Sequence, residues 1–330
     1  MVSEFKSILD LLRAFPDEQS CINHLEKLRW EDNVVSPFDP ESKVYKCANN
    51  KYKCKNTGKY FNVKVGTIFE DTKIPLQKWF LALYVFSSHK KGISSHQLAK
   101  DISVTQKSAW FLLHRLRYAF DHPNFKAVVG DECELDETFV GGKNKNRHKD
   151  KKVENSQGRS FKDKTPVLGI LEREEAHIVA RPNKNDSSKT VKEKVVTKPA
   201  RLICKVVKDT KASTIQPVIK QYVEFGSSLY SDEWHGYSGL SANYIHEIVD
   251  HGRGQYANGT VTTNRVENVW SHYKRMLLGF YHNVSKSHLH RYTNEFTLRF
   301  NTREYKSQER FNLILSGVDG KRLTYKNLIQ

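Results

Sequence analysis

The apolar positions of the chain follow two different periods. Phe5, Ile8, Leu11, Leu12 and Phe15 share one face at helical spacing and stop at Pro16, so residues 1–30 read as helical. Between 31 and 70 this order breaks up. Tyr45, Tyr52 and Phe61 stand among Asn49-Asn50, Asn56 and Thr57-Gly58, which predicts short strands and turns. Pro75 then opens a helix that carries Trp79, Leu81, Tyr84 and Phe86.

Ser94 and Gln97 have capping-box spacing, and Ser103 and Gln106 repeat it before Ala109, Leu112, Leu113 and Leu116, which recur at i, i+3, i+4 and i+7. Two short helices about a tight turn predict a helix-turn-helix within residues 71–122, although any helical hairpin produces the same pattern. The second helix holds Gln106, Lys107, Ser108, His114, Arg115 and Arg117. Such side chains read base edges or phosphates from a major groove.

Beyond Pro123 the period changes to two. Residues 128–140 alternate as a strand, and 143–164 are polar and basic and read as a loop. Residues 167–180 have strand-like ends about a turn at Glu174-Glu175, while the Lys-rich stretch 186–199 reads as a second loop. A strand over 201–207, a helix over 212–225 and a strand over 228–232 follow. Helices over 264–280 and 289–300 come next, and 306–330 read as a tail. This order predicts a mixed sheet with flanking helices, a mixed α/β fold.

Composition narrows the function. A chain of 330 residues with 17 Phe, 15 Tyr and 5 Trp can bury the cores of about two domains. Its longest apolar run, from Trp79 to Phe86, is far too short to span a bilayer. The N-terminal segment has no apolar core of a secretory leader, so the expected compartment is the cytoplasm. Five Cys, odd in number and irregular in spacing, form no disulfide framework and fit a reducing compartment. Lys plus Arg number 54 against 37 Asp plus Glu, a net charge of +17. That excess calls for a polyanionic partner, nucleic acid first.

Three acidic segments carry candidate chemistry. Strand period puts Glu132, Glu134, Asp136 and Thr138 on one face and Cys133 and Leu135 on the other. Such a row of carboxylates fits either a charge-protected edge strand or a bound cation. Asp232 ends a strand, where open sheets place their ligands, but an Asp in a turn is equally common. Asn264 and Glu267 open a helix at capping-box spacing, so they fit either a cap or a metal site.

Read together, the segments carry a resemblance. Leu135-Asp136-Glu137-Thr138-Phe139-Val140-Gly141-Gly142, Ser231-Asp232-Glu233-Trp234-His235-Gly236-Tyr237, and Thr263-Asn264-Arg265-Val266-Glu267-Asn268-Val269-Trp270-Ser271 followed by Tyr273-Lys274-Arg275 occur in that order. The stretch from Tyr292 through Glu295, Arg299 and Asn301 to Arg303 closes the set. These motifs resemble the DDNE (ISXO-type) class of bacterial insertion-sequence transposases within the DDE superfamily, from about residue 20 to 305. The resemblance implies a ribonuclease-H-like core over 128–305 behind the helix-turn-helix. It implies DNA strand cleavage and strand transfer with Mg²⁺, for which Mn²⁺ can substitute. Asp136, Asp232 and Glu267 would be the metal ligands, and Asn264 a catalytic neighbour that hydrogen-bonds DNA or a metal-bound water. Lys274 and Arg275 join Gln106, Lys107, Arg115 and Arg117 as expected DNA contacts. The implied partners are the terminal repeats of the element, target DNA and further copies of the chain, with no membrane and no nucleotide cofactor.

Members of that class usually carry an N-terminal zinc ribbon with two CxxC knuckles. Here the knuckle positions are Ser36-Pro37-Phe38-Asp39 and Cys54-Lys55-Asn56-Thr57, which keep a single Cys. Structural zinc takes four ligands, usually Cys or His, so residues 1–70 are expected to form a degenerate ribbon without zinc. A DNA-binding regulator on an inactive core is the rival reading, and the intact Asp, Asp, Asn and Glu set argues against it. A metal nuclease without strand transfer shares the same residues.

Overall fold

Interlocked aromatic rings hold the first of two units into which the chain divides, residues 1–126 with 302–330. The structure, a computed structural model, describes residues 4–31, 33–120, 128–141, 148–154, 164–183, 186–250 and 259–330. The expected basic loop over 143–164 therefore lies mostly outside the described residues. Pro16 separates α1 (Ile8–Ala14) from α2 (Glu18–Trp30), and each helix opens on a capping box, at Ser7 and Asp17. Helix α3 (Leu76–Ser88) starts behind Pro75, as its fixed φ favours.

The segment expected as a tail is structural. It folds into α9 (Ser307–Ser316) and α10 (Tyr325–Ile329). Phe311 of α9 meets Phe5 at 5.2 Å and Phe80 at 5.5 Å between ring centres, and Phe15 meets Phe80 at 4.8 Å. Edge-on packing of this kind adds to the area term. Arg310, itself buried, donates to the Ser87 carbonyl and to Thr302.

Strands β1 (Val44–Cys47), β2 (Lys51–Cys54) and β3 (Tyr60–Phe61) form an antiparallel sheet whose Tyr52 and Phe61 pack on Trp30. At the former knuckles Cys54 is shut off from solvent. Desolvation pushes its thiol up, but hydrogen bonds from the hydroxyls of Ser36, Ser42 and Thr57 and from the Thr57 backbone bring it down to about 6. Asp39 is turned to the loop: it accepts from the Glu41 backbone at 3.1 Å and from Asn56 at 2.8 Å. Three hydroxyls and one backbone N–H thus surround the Cys54 thiol.

Helices α4 (Ser95–Asp101) and α5 (Gln106–Ala119) flank a tight turn in which Ser103 has φ of 52°. The cap of α5 is Thr105, bonded to the Ser108 backbone, and not Ser103, because Ser103 is spent on the turn. Arg115 and Arg117 are corrected: both are buried in this unit. Arg115 donates to the carbonyls of Ile68 at 2.9 Å and Leu323 at 3.1 Å and stacks on Phe111. Gln106 and Lys107 at the start of α5 are exposed.

The second unit, residues 127–301, is built on a five-stranded sheet ordered β10-β9-β4-β5-β8. The strands are β4 (Glu132–Val140), β5 (Thr165–Glu172), β8 (Arg201–Val206), β9 (Ser228–Asp232) and β10 (Ile245–Val249). Strand β5 runs antiparallel to β4 and β8, while β9 lies parallel to β4 and β10. The stretch 186–199, expected as a loop, is corrected: it contributes β7 (Asp186–Lys198), paired antiparallel with β6 (Glu175–Asn183) as a separate ribbon. The β-branched Thr190, Val191, Val195, Val196 and Thr197 favour a strand here in spite of the polar residues between them.

Helix α6 (Ala212–Tyr222) covers one sheet face, with Ile215 and Ile219 among Cys133, Leu135, Leu168 and Ile170. Helices α7 (Asn264–Met276) and α8 (Leu289–Asn301) cover the other face, where Val266, Trp270, Tyr273 and Phe296 meet Val167, Leu171 and Leu202. Strand β4 is central, which removes the edge-strand reading of its carboxylates.

Two outcomes are expected. Replacing Arg115 with Ala should cost stability, about 2–4 kcal/mol in a chemical melt, because two buried carbonyls lose a charged donor. Unchanged stability with weaker DNA binding would contradict this packing role. Elemental analysis of the protein as purified should find no stoichiometric zinc, and Cys54→Ser should still fold, since a hydroxyl can join that network; about one zinc per chain, lost on Cys54→Ser, would contradict this.

Candidate active site

The face of β4 that carries Glu134 and Asp136 is the face that α7 covers. Strands β4 and β9 pair in register at Glu134 and Tyr230, an offset of 230 − 134 = 96. Asp136 and Asp232 each lie two residues beyond that last pair, on the two neighbouring strands. Burial pushes the Asp136 carboxyl up to about 6, and the charges of Asp232 and Glu267 push in the same direction. The Glu137 backbone and the Trp270 indole, each donating to an Asp136 oxygen, at 2.8 and 2.9 Å, act the other way.

Asp232 is buried at the end of β9 and accepts from the Trp234 backbone at 3.1 Å, a turn that fixes its carboxylate. Glu267 is on the exposed side of α7, one turn into the helix, and accepts from the Thr263 hydroxyl at 2.9 Å. The structure therefore sets Asp232 and Glu267 each within electrostatic reach of Asp136. Asn264 is exposed at the first residue of α7. Lys274 and Arg275 are exposed two turns further along the same helix.

The capping-box expectation for Asn264 and Glu267 is corrected. The residue at the cap is Thr263, and the free amides of the first turn are taken from a distance. Glu134 Oε2 accepts from the backbone N–H of Arg265 and of Val266, both at 3.0 Å. Its other oxygen accepts from Arg173 Nε at 2.8 Å. Glu134 is fully buried and engaged, which removes it as a substitute metal ligand. Trp270 reaches Asp136 because β5 has Gly169 opposite Asp136: a Cβ there would lie 2.5 Å from the indole. Sequence reasoning named Glu134 only as one of a row of acids and missed Arg173 and Gly169 as parts of this site. The period-two row of acids pointed at Glu134, and nothing local pointed at the other two.

Among the described residues no group of three or more His, Cys, Asp or Glu is placed so that it could hold a metal ion by itself. The oxygen-only donors still suit a hard divalent cation. Mg²⁺ commonly takes one or two carboxylates and completes its shell with water and substrate phosphate. Like charges that converge on a buried carboxyl are what such a cation relieves.

Comparison with known proteins decides the family: residues 128–301 match the ISXO2-like transposase domain. The chain belongs to this family. It is also similar to a protein of transposable element ISH50 from Halobacterium salinarum, 26% identical over 302 residues, covering 87% of this chain and 92% of that protein. A transposase-like protein of Haemophilus influenzae is 32% identical over 104 residues, 31% of this chain and 83% of that protein. Among the described residues no helix is long and apolar enough to cross a membrane.

The raised Asp136 carboxyl sets a pH dependence in metal-free protein. Folding is unpenalised below the ordinary carboxylate range, and the penalty grows as pH rises through about 6. Asp136→Asn removes that charge. In chelator, its stability relative to the parent should rise by on the order of 2–3 kcal/mol between pH 4 and 7.5. A pH-independent difference in denaturant titrations would refute the assignment.

Proposed function

We propose that the chain is a DNA transposase that binds the ends of its mobile element and catalyses strand cleavage and strand transfer. The observation that carries this reading is the convergence of Asp136, Asp232 and Glu267 from two adjacent strands and one helix. The sheet order supports a ribonuclease-H-like core, with β4, β5 and β8 as an antiparallel meander and β9 and β10 added parallel beyond β4. The β6–β7 ribbon is then an insertion between its second and third strands.

Asp136 and Asp232, with Glu267, would hold Mg²⁺ or Mn²⁺. A bound pair of such ions stabilises charge on the attacking and leaving oxygens of an in-line phosphoryl displacement. The chain's own residues hold the geometry. The Glu137 backbone and the Trp270 indole fix both Asp136 oxygens, the Trp234 backbone fixes Asp232, and the Thr263 hydroxyl orients Glu267. Asn264, neutral and exposed beside the acids, can donate to a phosphate or to water without adding charge.

Gln106 and Lys107 stand at the N-terminus of α5, the part of a recognition helix that meets base edges. Lys274 and Arg275 extend a basic surface along α7. Joining two element ends requires more than one active site, so we read the working form as an oligomer on DNA.

The test uses purified protein, DNA carrying the element ends, and Mg²⁺. Asp232→Asn and Glu267→Gln should lower cleavage at least about 100-fold while binding persists, since phosphate contacts come from other residues. Glu267→Gln should melt within about 1 kcal/mol of the parent, because the amide oxygen can still accept from Thr263. Lys107→Ala should weaken end binding and reduce the salt slope by about 0.9. Cleavage at the parent rate by both acid variants would sink the assignment.

A further inference from the structure

One buried arginine ties together the elements that meet at the site. Arg173 follows the end of β5 and is buried, and its guanidinium lies 4.3 Å from the centre of the Tyr230 ring on β9. It donates to Glu134 at 2.8 Å and to Glu132 at 3.0 Å, both on β4. It also donates to the backbone carbonyls of Thr260 at 2.8 Å and Thr262 at 2.9 Å, in the segment that enters α7. The planar five-donor fork of Arg can serve these directions at once, and a Lys ammonium cannot.

Glu134 completes the tie with its two bonds to the first-turn amides of α7. A carboxylate at a helix N-terminus satisfies orphan donors and meets the positive end of the helix dipole. Further along, the Trp270 indole bonds to Asp136. Glu267 lies between these two attachments, one residue beyond Val266 and three before Trp270. Both the height and the rotation of α7 over β4 are thereby fixed around the residue that must face Asp136.

We propose that Glu134 and Arg173 are positioning residues of the reaction, a clasp that sets the N-terminus of α7 so that Glu267 and Asn264 face Asp136 and Asp232. The proposal rests on the transposase reading for what the positioned groups do, and on the hydrogen bonds alone for the clasp. Residues that orient ligands without touching the metal typically cost about 10- to 100-fold in metal affinity or activity when changed.

The experiment uses the full chain with Glu134→Gln, and with Arg173→Lys as a second, charge-conserving variant in case the first does not fold. Mn²⁺ binding is measured by calorimetry on the protein alone. Amide hydrogen exchange is followed across residues 259–270, and strand cleavage of end DNA is measured in Mg²⁺. Both variants should bind Mn²⁺ about 10- to 100-fold more weakly and cleave correspondingly more slowly, with end-DNA affinity unchanged. Exchange should accelerate in the α7 N-terminal segment and not across β4 and β5.

Parent-like Mn²⁺ binding and cleavage in a folded Glu134→Gln protein would overturn the proposal, whatever its melting temperature. Weaker Mn²⁺ binding with unaltered exchange at 264–268 would overturn it too, because Glu134 would then be a ligand. If the parent protein itself cuts no DNA, the transposase reading fails, while the calorimetry and exchange still decide the clasp.

Discussion

Carboxylates repel one another, and this fold brings the charges of Asp232 and Glu267 to bear on the buried Asp136. The cost is visible at Asp136, whose ionised form is disfavoured first by burial and then by Asp232 and Glu267. Loose segments would relieve that repulsion by moving apart. The sheet limits this for Asp136 and Asp232, because their strands are paired by backbone bonds as far as Glu134 and Tyr230, two residues before each of them. It does not by itself constrain Glu267, which arrives on a helix. Three buried polar groups of the second unit bear on that problem, with Arg173, Glu134 and the Trp270 indole all holding α7 or the segment that enters it.

The sheet face was legible in the sequence wherever one face is apolar. Cys133 and Leu135 against Glu134 and Asp136 told the two sides of β4 apart, and the core confirms it. The strand ending at Asp232 was equally plain from its flanking turn. Strand β7 was misread because its outward residues are lysines and neither face is buried in a core, so polarity hid the period. Strand β10 gave little signal for a related reason: four of its five residues are at least partly open to solvent.

Long-range bonds explain the other differences. Asn264 and Glu267 have the spacing of a local cap, and only the three-dimensional fold reveals a carboxylate from 131 residues earlier on the first-turn amides. The roles of Arg115 and Arg117 on α5 were invisible for the same reason. Arg115 is held by a partner as distant as Leu323, in a segment whose weak amphipathic pattern read as a tail, and Arg117 is buried beside it on the same helix. Gly169 is informative only once the Trp270 ring is seen lying against it.

The excess of basic residues therefore divides by type. Among the described residues the buried charged groups include six arginines, Arg115, Arg117, Arg173, Arg291, Arg299 and Arg310, and no lysine. Guanidinium groups are weakly hydrated and bond in several directions, so they can be buried against carbonyls and carboxylates, whereas an ammonium is held at the surface by its hydration. These arginines are part of the architecture: Arg299 pairs with the buried Glu295, Arg310 binds backbone, and Arg173 joins three segments. The positive charge left to face a polyanion is then carried mainly by lysines, on flexible stems that track phosphates without fixed geometry. Net charge alone pointed correctly to the kind of partner the family implies, but it could not tell which cations meet that partner. Burial makes part of that distinction: of the four DNA contacts expected on α5, it withdraws Arg115 and Arg117 and leaves Gln106 and Lys107 exposed.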